Sequence, residues 1–285
     1  MTEENNTSSN DTGARFVLRQ EPKVATFADG INWFVEGTRL FVKSPFIWIF
    51  LFLAWAIINL FSVLLLREMS KILWPIFLAG FMWGAYSLDK KSVLPIDCLF
   101  AGFTKNAKSL LILGLYYFAA FVLIYFLSMW VTELLVGEIN LAEYQKNVLA
   151  LYTGQADPAH VEKMVITMRP ILFLSLLLLG FSLPLFMAIW FAPALIILNN
   201  LQPFQAAKMS FVGCLRNMFS FLSYGLVAFG AMIIAFIPLG IGFILVMPII
   251  FASIYISYKD IFIDETAGPT DHGQKKDNNK IGIEV

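Results

Sequence analysis

The sequence predicts an all-α membrane protein with six transmembrane helices, arranged as three helical hairpins that are each preceded by a cytoplasmic amphipathic elbow helix. The class follows from composition: of 285 residues, 59% are hydrophobic and 14% are charged, whereas a soluble domain carries about 25% charged residues. The hydrophobic residues also form runs close to the ~20 residues that cross a bilayer. Because the backbone must satisfy its own hydrogen bonds in lipid, such runs are expected to be helices.

An internal repeat predicts the hairpins. The stretches Phe100–Leu115 and Phe211–Leu226 share the pattern F-x-G-x-x-[KR]-N-x-x-S-x-x-x-x-G-L, and Leu40–Ser44 is a weaker third copy. In each copy an amphipathic run ends at a basic residue, and a long apolar run follows. Since a fixed period indicates repeated structural units, we expect three units that each consist of an elbow helix and a hairpin.

A second marker, Pro-φ-φ-x-Ala, recurs in three apolar runs, at Pro75, Pro184 and Pro248. The basic residue of the first and third copies precedes its proline by 32 residues, and that of the second copy by 79. A polar insertion at about 131–168 accounts for the longer separation in the second copy. Proline and alanine are both tolerated in membrane helices, so chance recurrence is the competing interpretation, but the agreement of two markers in spacing favours the repeat.

The repeat divides the chain into one membrane domain and two tails. Residues 1–26 and 264–285 are polar and are expected to be disordered cytoplasmic tails. Residues 27–263 are expected to form a single polytopic domain. Its hairpin units are predicted at about 27–88, 95–198 and 203–258, with an external helical insertion at about 131–168.

Within these units, the predicted membrane helices span about 46–66, 72–88, 109–130, 170–198, 219–237 and 243–258, and the predicted elbows span about 27–43, 95–107 and 203–217. Trp33 beside a polar face suits an elbow that lies in the membrane interface. Pro184 and Pro193 are candidate hinges in the fourth helix, because proline interrupts helical hydrogen bonding. In the insertion, helical spacing predicts a helix at about 139–151, and Asp157-Pro158 is typical of the start of another.

Lysine and arginine predict the orientation. The tails and the connections on their side of the membrane carry 15 of the 20 basic residues, and the opposite side carries five. Because cytoplasmic loops are enriched in these residues, both termini are expected to be cytoplasmic. Five basic residues of the elbows are candidate contacts for anionic lipid headgroups: Lys43, Lys105, Lys108, Lys208 and Arg216. The alternative is that they only set the topology.

No catalytic, cofactor or metal site is predicted. The predicted spans contain no Asp, Glu, Lys, Arg or His, which usually mark ion or proton pathways. His160 and His272 have no partners at metal or triad spacing, and Cys98 and Cys214 are interpreted as small apolar fillers. No basic stripe interleaved with aromatic residues indicates nucleic-acid binding. The Gly80-x-x-x-Gly84 pair favours close helix packing within the chain over dimerisation.

Short motifs in the second half of the chain carry a family resemblance: Trp190-Phe-Ala-Pro-Ala-Leu195, Ala206-Ala-Lys-x-Ser210-Phe, Asn217, Gly240-Ile-Gly242 and Tyr255-Ile-Ser-Tyr-Lys-Asp260-Ile-Phe262. Through them the chain resembles an uncharacterised group of proteobacterial inner-membrane proteins, the BPSS-type hypothetical transmembrane proteins. The architecture is also similar to the membrane domain of some glycerophosphodiesterases, without their soluble catalytic domain. The resemblance implies a location in the bacterial inner membrane and a multi-pass topology, and it implies no activity.

Two functions remain open, and a lipid-modifying enzyme ranks third because no nucleophile, base or metal set is visible in the sequence. The first is a non-enzymatic scaffold or accessory subunit that acts through membrane lipids and through a membrane or cytoplasmic protein partner. The second is a channel or carrier for a lipid-like or apolar small molecule, with a passage lined by Ser, Tyr and Asn. A polar cavity open to one side favours the carrier, and a close-packed bundle favours the scaffold.

Overall fold

The computed structural model describes residues 17–154 and 158–264, which are almost entirely helical. The helices are α1 (Phe27–Val42), α2 (Pro45–Leu66), α3 (Trp74–Lys91), α4 (Ala101–Thr104), α5 (Ala107–Leu135), α6 (Leu141–Tyr152), α7 (Pro158–Trp190), α8 (Ala192–Asn199), α9 (Pro203–Arg216), α10 (Met218–Phe236) and α11 (Phe243–Phe262). Two 3-10 turns, Arg67–Ile72 and Ile96–Phe100, join helices, and β1 (Val17–Leu18) pairs with β2 (Ile263–Asp264). The all-α prediction is confirmed.

Five helical segments are long and apolar enough to cross a membrane: Pro45–Ile72, Ala107–Leu135, His160–Asn199, Met218–Phe236 and Phe243–Phe262. They indicate a multi-pass membrane protein. The second predicted span, at about 72–88, forms α3, which is not one of the five. Twelve of the 18 residues of α3 are buried, so its surroundings are mainly protein. A helix enclosed in this way does not need the uniformly apolar surface that lipid demands.

The core lies where α3, α8 and α11 meet. The rings of Phe81 and Phe251 stack with their centroids 4.2 Å apart, and Trp55 meets Phe251 edge-on at 5.6 Å. Leu195 of α8 and Tyr255 of α11 are fully buried beside them. Aromatic pairs in these geometries contribute roughly 0.5–1.5 kcal/mol each beyond the area they bury. The centre of the bundle is therefore filled by large side chains.

Three short helical segments pack against longer parts of the bundle. Two of them pack against helices that come before them in the sequence. The turn Ile96–Phe100 and α4 pack on α3, and α9 packs on α7 and α8. Although it comes first in the sequence, α1 packs between α10 and α11, which come last. The start of the described chain therefore packs against its end.

Two of these junctions depend on a glycine: the one between α1 and α11, and the one between α3 and the turn Ile96–Phe100. A Cβ on Gly37 of α1 would lie 2.7 Å from Ser253 Cα of α11, and a Cβ on Gly80 of α3 would lie 2.6 Å from the Leu99 carbonyl oxygen. Gly37 and Leu99 each lie six residues before a basic marker residue. Their partners, Ser253 and Gly80, each lie five residues after a marker proline. Only glycine permits backbones to approach so closely.

The third junction interrupts the long helix predicted at about 170–198. The Ser210 hydroxyl of α9 accepts the Phe191 N–H at 3.0 Å and donates to the Met187 carbonyl at 2.7 Å. In a continuous helix these two backbone groups bond to each other. A side chain inserted into this ladder breaks the helix, so α7 ends and α8 begins here. Ser210 also lies six residues before the basic marker residue of its copy.

The prediction of a disordered tail over 1–26 is wrong for residues 17–26. The Arg19 N–H donates to the Phe262 carbonyl at 2.8 Å, and the Lys23 N–H donates to the Ile261 carbonyl at 2.9 Å. The last carbonyls of a helix have no partner within it, and this segment supplies donors to the end of α11. Similarly, Asp264 is paired in β2 rather than belonging to a tail. Residues 1–16 and 265–285 lie outside the described part of the chain.

The interpretation of Trp33 as an interfacial residue is also wrong. Its side chain is 2% exposed, its indole N–H donates to Asp260 at 3.0 Å, and its ring lies 5.3 Å from that of Phe221. The apolar face of α1 is covered by α10 and α11 rather than by lipid. An amphipathic pattern reports that one face is buried and does not identify what buries it.

The insertion contains the helix that spacing predicted at about 139–151, observed as α6. Asn140 caps it by accepting the Glu143 N–H at 2.9 Å, and α6 then packs against α7. The second predicted helix start falls on Asp157-Pro158. Pro158 is the first residue of α7, and Asp157 lies outside the described residues.

Candidate functional site

A cluster of polar side chains joins the ends of α3, α8 and α11. The Tyr255 hydroxyl and the Lys259 ammonium both donate to Asp89 Oδ2, at 3.0 and 3.1 Å. The Tyr258 hydroxyl donates to the Asn199 carboxamide. Both tyrosines are fully buried, and the side chains of Asp89 and Lys259 are 17% and 21% exposed. The cluster ties three helices together at one end of the bundle.

The sequence did not reveal this cluster because the predicted ends of two helices lay too early in the chain. The prediction that the membrane helices lack ionisable residues placed their ends at about 88 and 258, but α3 continues through Asp89 and α11 continues through Lys259. One more helical turn brings both charges into the bundle. The Asp89–Lys259 ion pair joins α3 to α11, and we call it the structural latch between these helices.

The five basic residues predicted to contact headgroups are all exposed, and they lie on two helices and in two connections. Lys43 caps the C-terminus of α1, Lys105 precedes α5, Lys108 lies in the first turn of α5, Lys208 lies in α9, and Arg216 ends α9. Two of them have partners within the protein. Lys105 Nζ lies 4.3 Å from the centre of the Trp83 ring, and Arg216 pairs with Glu21 at 2.8 Å. The five charges do not converge on one site.

The two candidate hinges occupy different places. Pro184 is exposed inside α7, whereas Pro193 is buried in the first turn of α8. Proline suits the first turn of a helix because its missing N–H has no helical partner there. Pro193 therefore starts α8 directly after the break that Ser210 produces, and Pro184 lies seven residues before that break.

An apolar groove of about 500 Å³ lies between α7, α9 and α10. Its walls include Leu183, Phe186 and Trp190 of α7, Cys214 of α9, and Phe219 and Leu222 of α10. Cavities of this size fall within the range that binds small molecules. Because α7 and α10 belong to two of the five apolar segments, the groove faces the surface that a bilayer would cover.

Both cysteines are buried fillers, as the sequence suggested. Neither forms a disulfide, and burial raises the pKa of the Cys98 and Cys214 thiols to about 12. A thiol with such a pKa stays neutral at physiological pH and is a poor nucleophile. Cys98 Sγ also lies where a Cβ on Gly84 would be 2.7 Å away. The Gly80-x-x-x-Gly84 face therefore packs within the chain, as predicted.

Within 17–154 and 158–264, no group of three or more His, Cys, Asp or Glu residues is arranged to hold a metal ion. Comparison of the chain with protein-family models, with curated proteins and with solved structures gives no match.

Proposed function

We propose that this chain is a non-enzymatic scaffold or accessory subunit of the bacterial inner membrane that acts through lipid and protein contacts. The filled centre of the bundle supports this proposal. A channel or carrier needs a passage through the centre of the bundle. That centre is instead filled by the stacked rings of Phe81 and Phe251 and by the fully buried Tyr255. The large groove lies at the periphery instead, between α7, α9 and α10.

We also propose that the membrane domain consists of three repeats with six spans, in which α1, the α4 segment and α9 are the cytoplasmic elbows. The recurrence of one contact supports this arrangement. Gly37 and Leu99 lie six residues before a basic marker residue, and each contacts a residue five positions after a marker proline. At the third junction Ser210, also six residues before its basic residue, bonds Met187 and Phe191, which lie on either side of the position five after Pro184. Head-to-tail closure of three units implies a pseudo-threefold axis along the membrane normal, as in parallel repeats. In this arrangement α3 is the sixth span, and it is enclosed by the other helices.

The proposed orientation places both termini and the elbows in the cytoplasm and the insertion outside. The five exposed basic residues Lys43, Lys105, Lys108, Lys208 and Arg216 then lie near anionic headgroups, each attracted by about 1 kcal/mol. The proposed membrane lipids are thus partners of the elbows, and the proposed family is the proteobacterial inner-membrane group that the chain resembles.

The carrier for a lipid-like molecule is the second candidate, and the break at Phe191 favours it. A helix interrupted by the inserted Ser210 hydroxyl can bend there. Pro184 and Pro193 lie on either side of the break and would be the hinge points. The apolar groove along α7 would then be the path of the substrate.

Purification of the full chain in lipid nanodiscs, followed by mass spectrometry of everything that co-elutes, tests the leading proposal. A protein partner at fixed stoichiometry is the expected result. Reconstitution in liposomes supplies the opposing result, because protein-dependent movement of a fluorescent phospholipid between leaflets would replace the scaffold with the carrier.

A further inference from the structure

We infer that α1 is inserted into the cytoplasmic leaflet of the membrane through a second apolar face, and that the acyl chains of this leaflet cover that face. The face lies on the side of α1 that α10 and α11 leave exposed. This inference deepens the lipid-contact part of the proposed function and rests on the repeat and the orientation proposed there.

The residues of α1 and its C-cap divide into three faces around the helix. The first face packs against α10 and α11 and is buried: Gly30, Trp33, Gly37, Leu40 and Phe41. The members of the second face are apolar, lie four or seven residues apart, and are 39–64% exposed: Phe27, Ile31, Val35 and Val42. The members of the third face are polar and lie three or four residues apart: Asp29, Asn32, Glu36, Arg39 and Lys43. Residues at such spacings share one side of a helix, so the apolar and polar residues are separated.

A helix with three such faces suits the boundary between protein, hydrocarbon and water. Interfacial helices bury their apolar side about 5–10 Å into the membrane and keep their polar side in water. The charged side chains of Phe27–Lys43 all lie on the polar face, where Glu36 and Arg39 pair with each other. The second apolar face is therefore the one that enters the hydrocarbon.

The contacts of α1 with α11 set its depth. Since α11 is one of the five apolar segments, it carries its neighbours to membrane depth. The Trp33 indole donates to Asp260 near the cytoplasmic end of α11, whereas a Cβ on Gly37 would lie 2.7 Å from Ser253 Cα, in the middle of α11. Asp260 and Ser253 are seven residues apart, which is about 10 Å along a helix. Consequently, α1 lies beside the span itself, where a bilayer surrounds it.

The apolar face also adjoins a membrane helix. Val42, the last residue of α1, is 64% exposed, and Phe46 and Phe50 at the start of α2 are 85% and 54% exposed. The apolar segment Pro45–Ile72 includes α2. The lipid-facing surface of α2 therefore begins next to the apolar face of α1.

Exposed apolar residues recur at equivalent positions of the three copies of the repeat. Ile31, Val93 and Phe204 each lie twelve residues before a basic marker residue, and they are 39%, 61% and 72% exposed. The residue directly before the marker is exposed and apolar in the first and third copies only, where it is Val42 and Leu215. Copies that are related by an axis along the membrane normal lie at one depth, so a lipid leaflet meets all of them at once. A single protein partner accounts for only one.

The polar face lies on the same side of the apolar face in α1 and in α9. One residue further along a helix is about 100° further around it. Five exposed apolar residues are each followed directly by an exposed polar residue: Ile31, Val35 and Val42 in α1, and Phe204 and Leu215 in α9. Two helices that repeat around one axis along the membrane normal and share this order point their apolar faces in one direction. That direction is the membrane for both.

Spin labels on single introduced cysteines test the inference in the full chain, reconstituted in nanodiscs of phosphatidylethanolamine and phosphatidylglycerol. Both natural thiols are buried, so a maleimide nitroxide should label only the introduced cysteine. Ile31→Cys and Val35→Cys report on the apolar face. Asn32→Cys and Glu36→Cys are matched controls, because each lies one residue away on the polar face. Power saturation of the nitroxide signal then measures its collisions with oxygen, which dissolves in hydrocarbon, and with a nickel chelate, which stays in water.

We expect the labels at Ile31 and Val35 to collide with oxygen and to lose contact with the chelate, and the labels at Asn32 and Glu36 to keep contact with the chelate. Contact of the chelate with all four labels would overturn the inference, because the apolar face would then lie in water. Loss of both reagents at Ile31 and Val35 would also overturn it, because a protein partner or a second copy of the chain would then cover the face.

A second pair of variants on α9 keeps the inference testable if a variant of α1 does not fold. Phe204→Cys should collide with oxygen, and Gln205→Cys, its neighbour on the polar side, should keep contact with the chelate. Chelate contact at both positions would count against an inserted elbow in the third copy and against the common depth of the copies.

The same samples separate this inference from the scaffold proposal. Oxygen contact at Ile31 in a preparation that contains no co-eluting protein supports the inserted helix and contradicts the scaffold. Chelate contact at Ile31 in a preparation that holds a protein partner at fixed stoichiometry does the opposite.

Discussion

Asn106 and Asn217 each use a side-chain amide to hold the chain segment that leads into the next short helix. Asn106 Nδ2 donates to Asn200 Oδ1 at 2.8 Å, just before α9 begins. Asn217 Nδ2 donates to the Lys23 carbonyl at 2.9 Å, and its Oδ1 accepts the Ala25 N–H at 2.6 Å, just before α1 begins. The amide that follows the basic residue in these two stretches, Lys105-Asn106 and Arg216-Asn217, is therefore a structural clamp.

Asn217→Ala should lower the free energy of unfolding by about 2 kcal/mol, because backbone groups of Lys23 and Ala25 lose their partner in a nearly buried place. Asn217 itself is 1% exposed. Thermal unfolding in detergent micelles measures the change. Gln205→Ala, at an exposed position of α9, is the control and should change little. Equal melting temperatures for the wild type and Asn217→Ala would show that the clamp does not contribute.

Gly37→Ala should destabilise the protein by about 1–3 kcal/mol, the usual cost of overpacking. The added methyl group would lie 2.7 Å from backbone atoms of Ser253. Gly225→Ala provides a matched control, because a Cβ there meets nothing within 4 Å and alanine is the better helix former by about 1 kcal/mol. The two variants should thus shift the melting temperature in opposite directions. A shift of the same sign in both would contradict the close contact of α1 with α11.

Asp89→Ala should cost about 3 kcal/mol, since it removes the carboxylate that accepts from both the Tyr255 hydroxyl and the Lys259 ammonium in a largely buried place. Glu36→Ala removes a pair of the same kind on the surface, where Arg39 is 70% exposed, and should cost at most about 1 kcal/mol. Denaturation of both variants in detergent compares the two losses. If they are equal, the charge pair at the end of α3 and α11 is not a latch.

The N-terminus of α1 should weaken in acid. The backbone N–H of Thr26 donates to Asp29 at 2.7 Å and holds the pKa of that carboxyl below its ordinary value of 3.8. A depressed pKa means that the stabilisation is complete above the ordinary pKa and is lost as the pH falls through the folded-state value. Asp29→Ala should therefore lower stability by about 1 kcal/mol at pH 7. Measured melting temperatures of the wild type and this variant should converge as the pH falls below the folded-state pKa of Asp29. A gap that is as wide at low pH as at pH 7 would contradict this assignment.

The orientation can be read from cysteine labelling in whole cells. The two natural thiols are buried, so a membrane-impermeant maleimide should report only an introduced cysteine. Tyr152→Cys, at an 86% exposed position of α6, should label from outside, and Lys43→Cys should label only after the cells are opened. Labelling of Lys43→Cys in intact cells would reverse the proposed topology.

Local pattern determined the helices of this protein. The first membrane helix was predicted at about 46–66 and is α2, Pro45–Leu66, and the helix of the insertion was predicted from spacing alone and is α6. Run length, proline and helical spacing act within about ten residues of each other, so a single sequence contains them. The multi-pass membrane class follows from the same local signals.

Tertiary structure alone decided what each face meets. Trp33 is buried by α10 and α11 rather than by lipid, the Ser210 hydroxyl breaks a helix 19 residues away, and the strand before α1 is held by the end of α11. Residues of α7, α9 and α10, which are distant in the sequence, together line the apolar groove. Each of these contacts joins residues far apart in the chain, and a hydrophobic pattern records that a side chain is buried without recording which partner buries it.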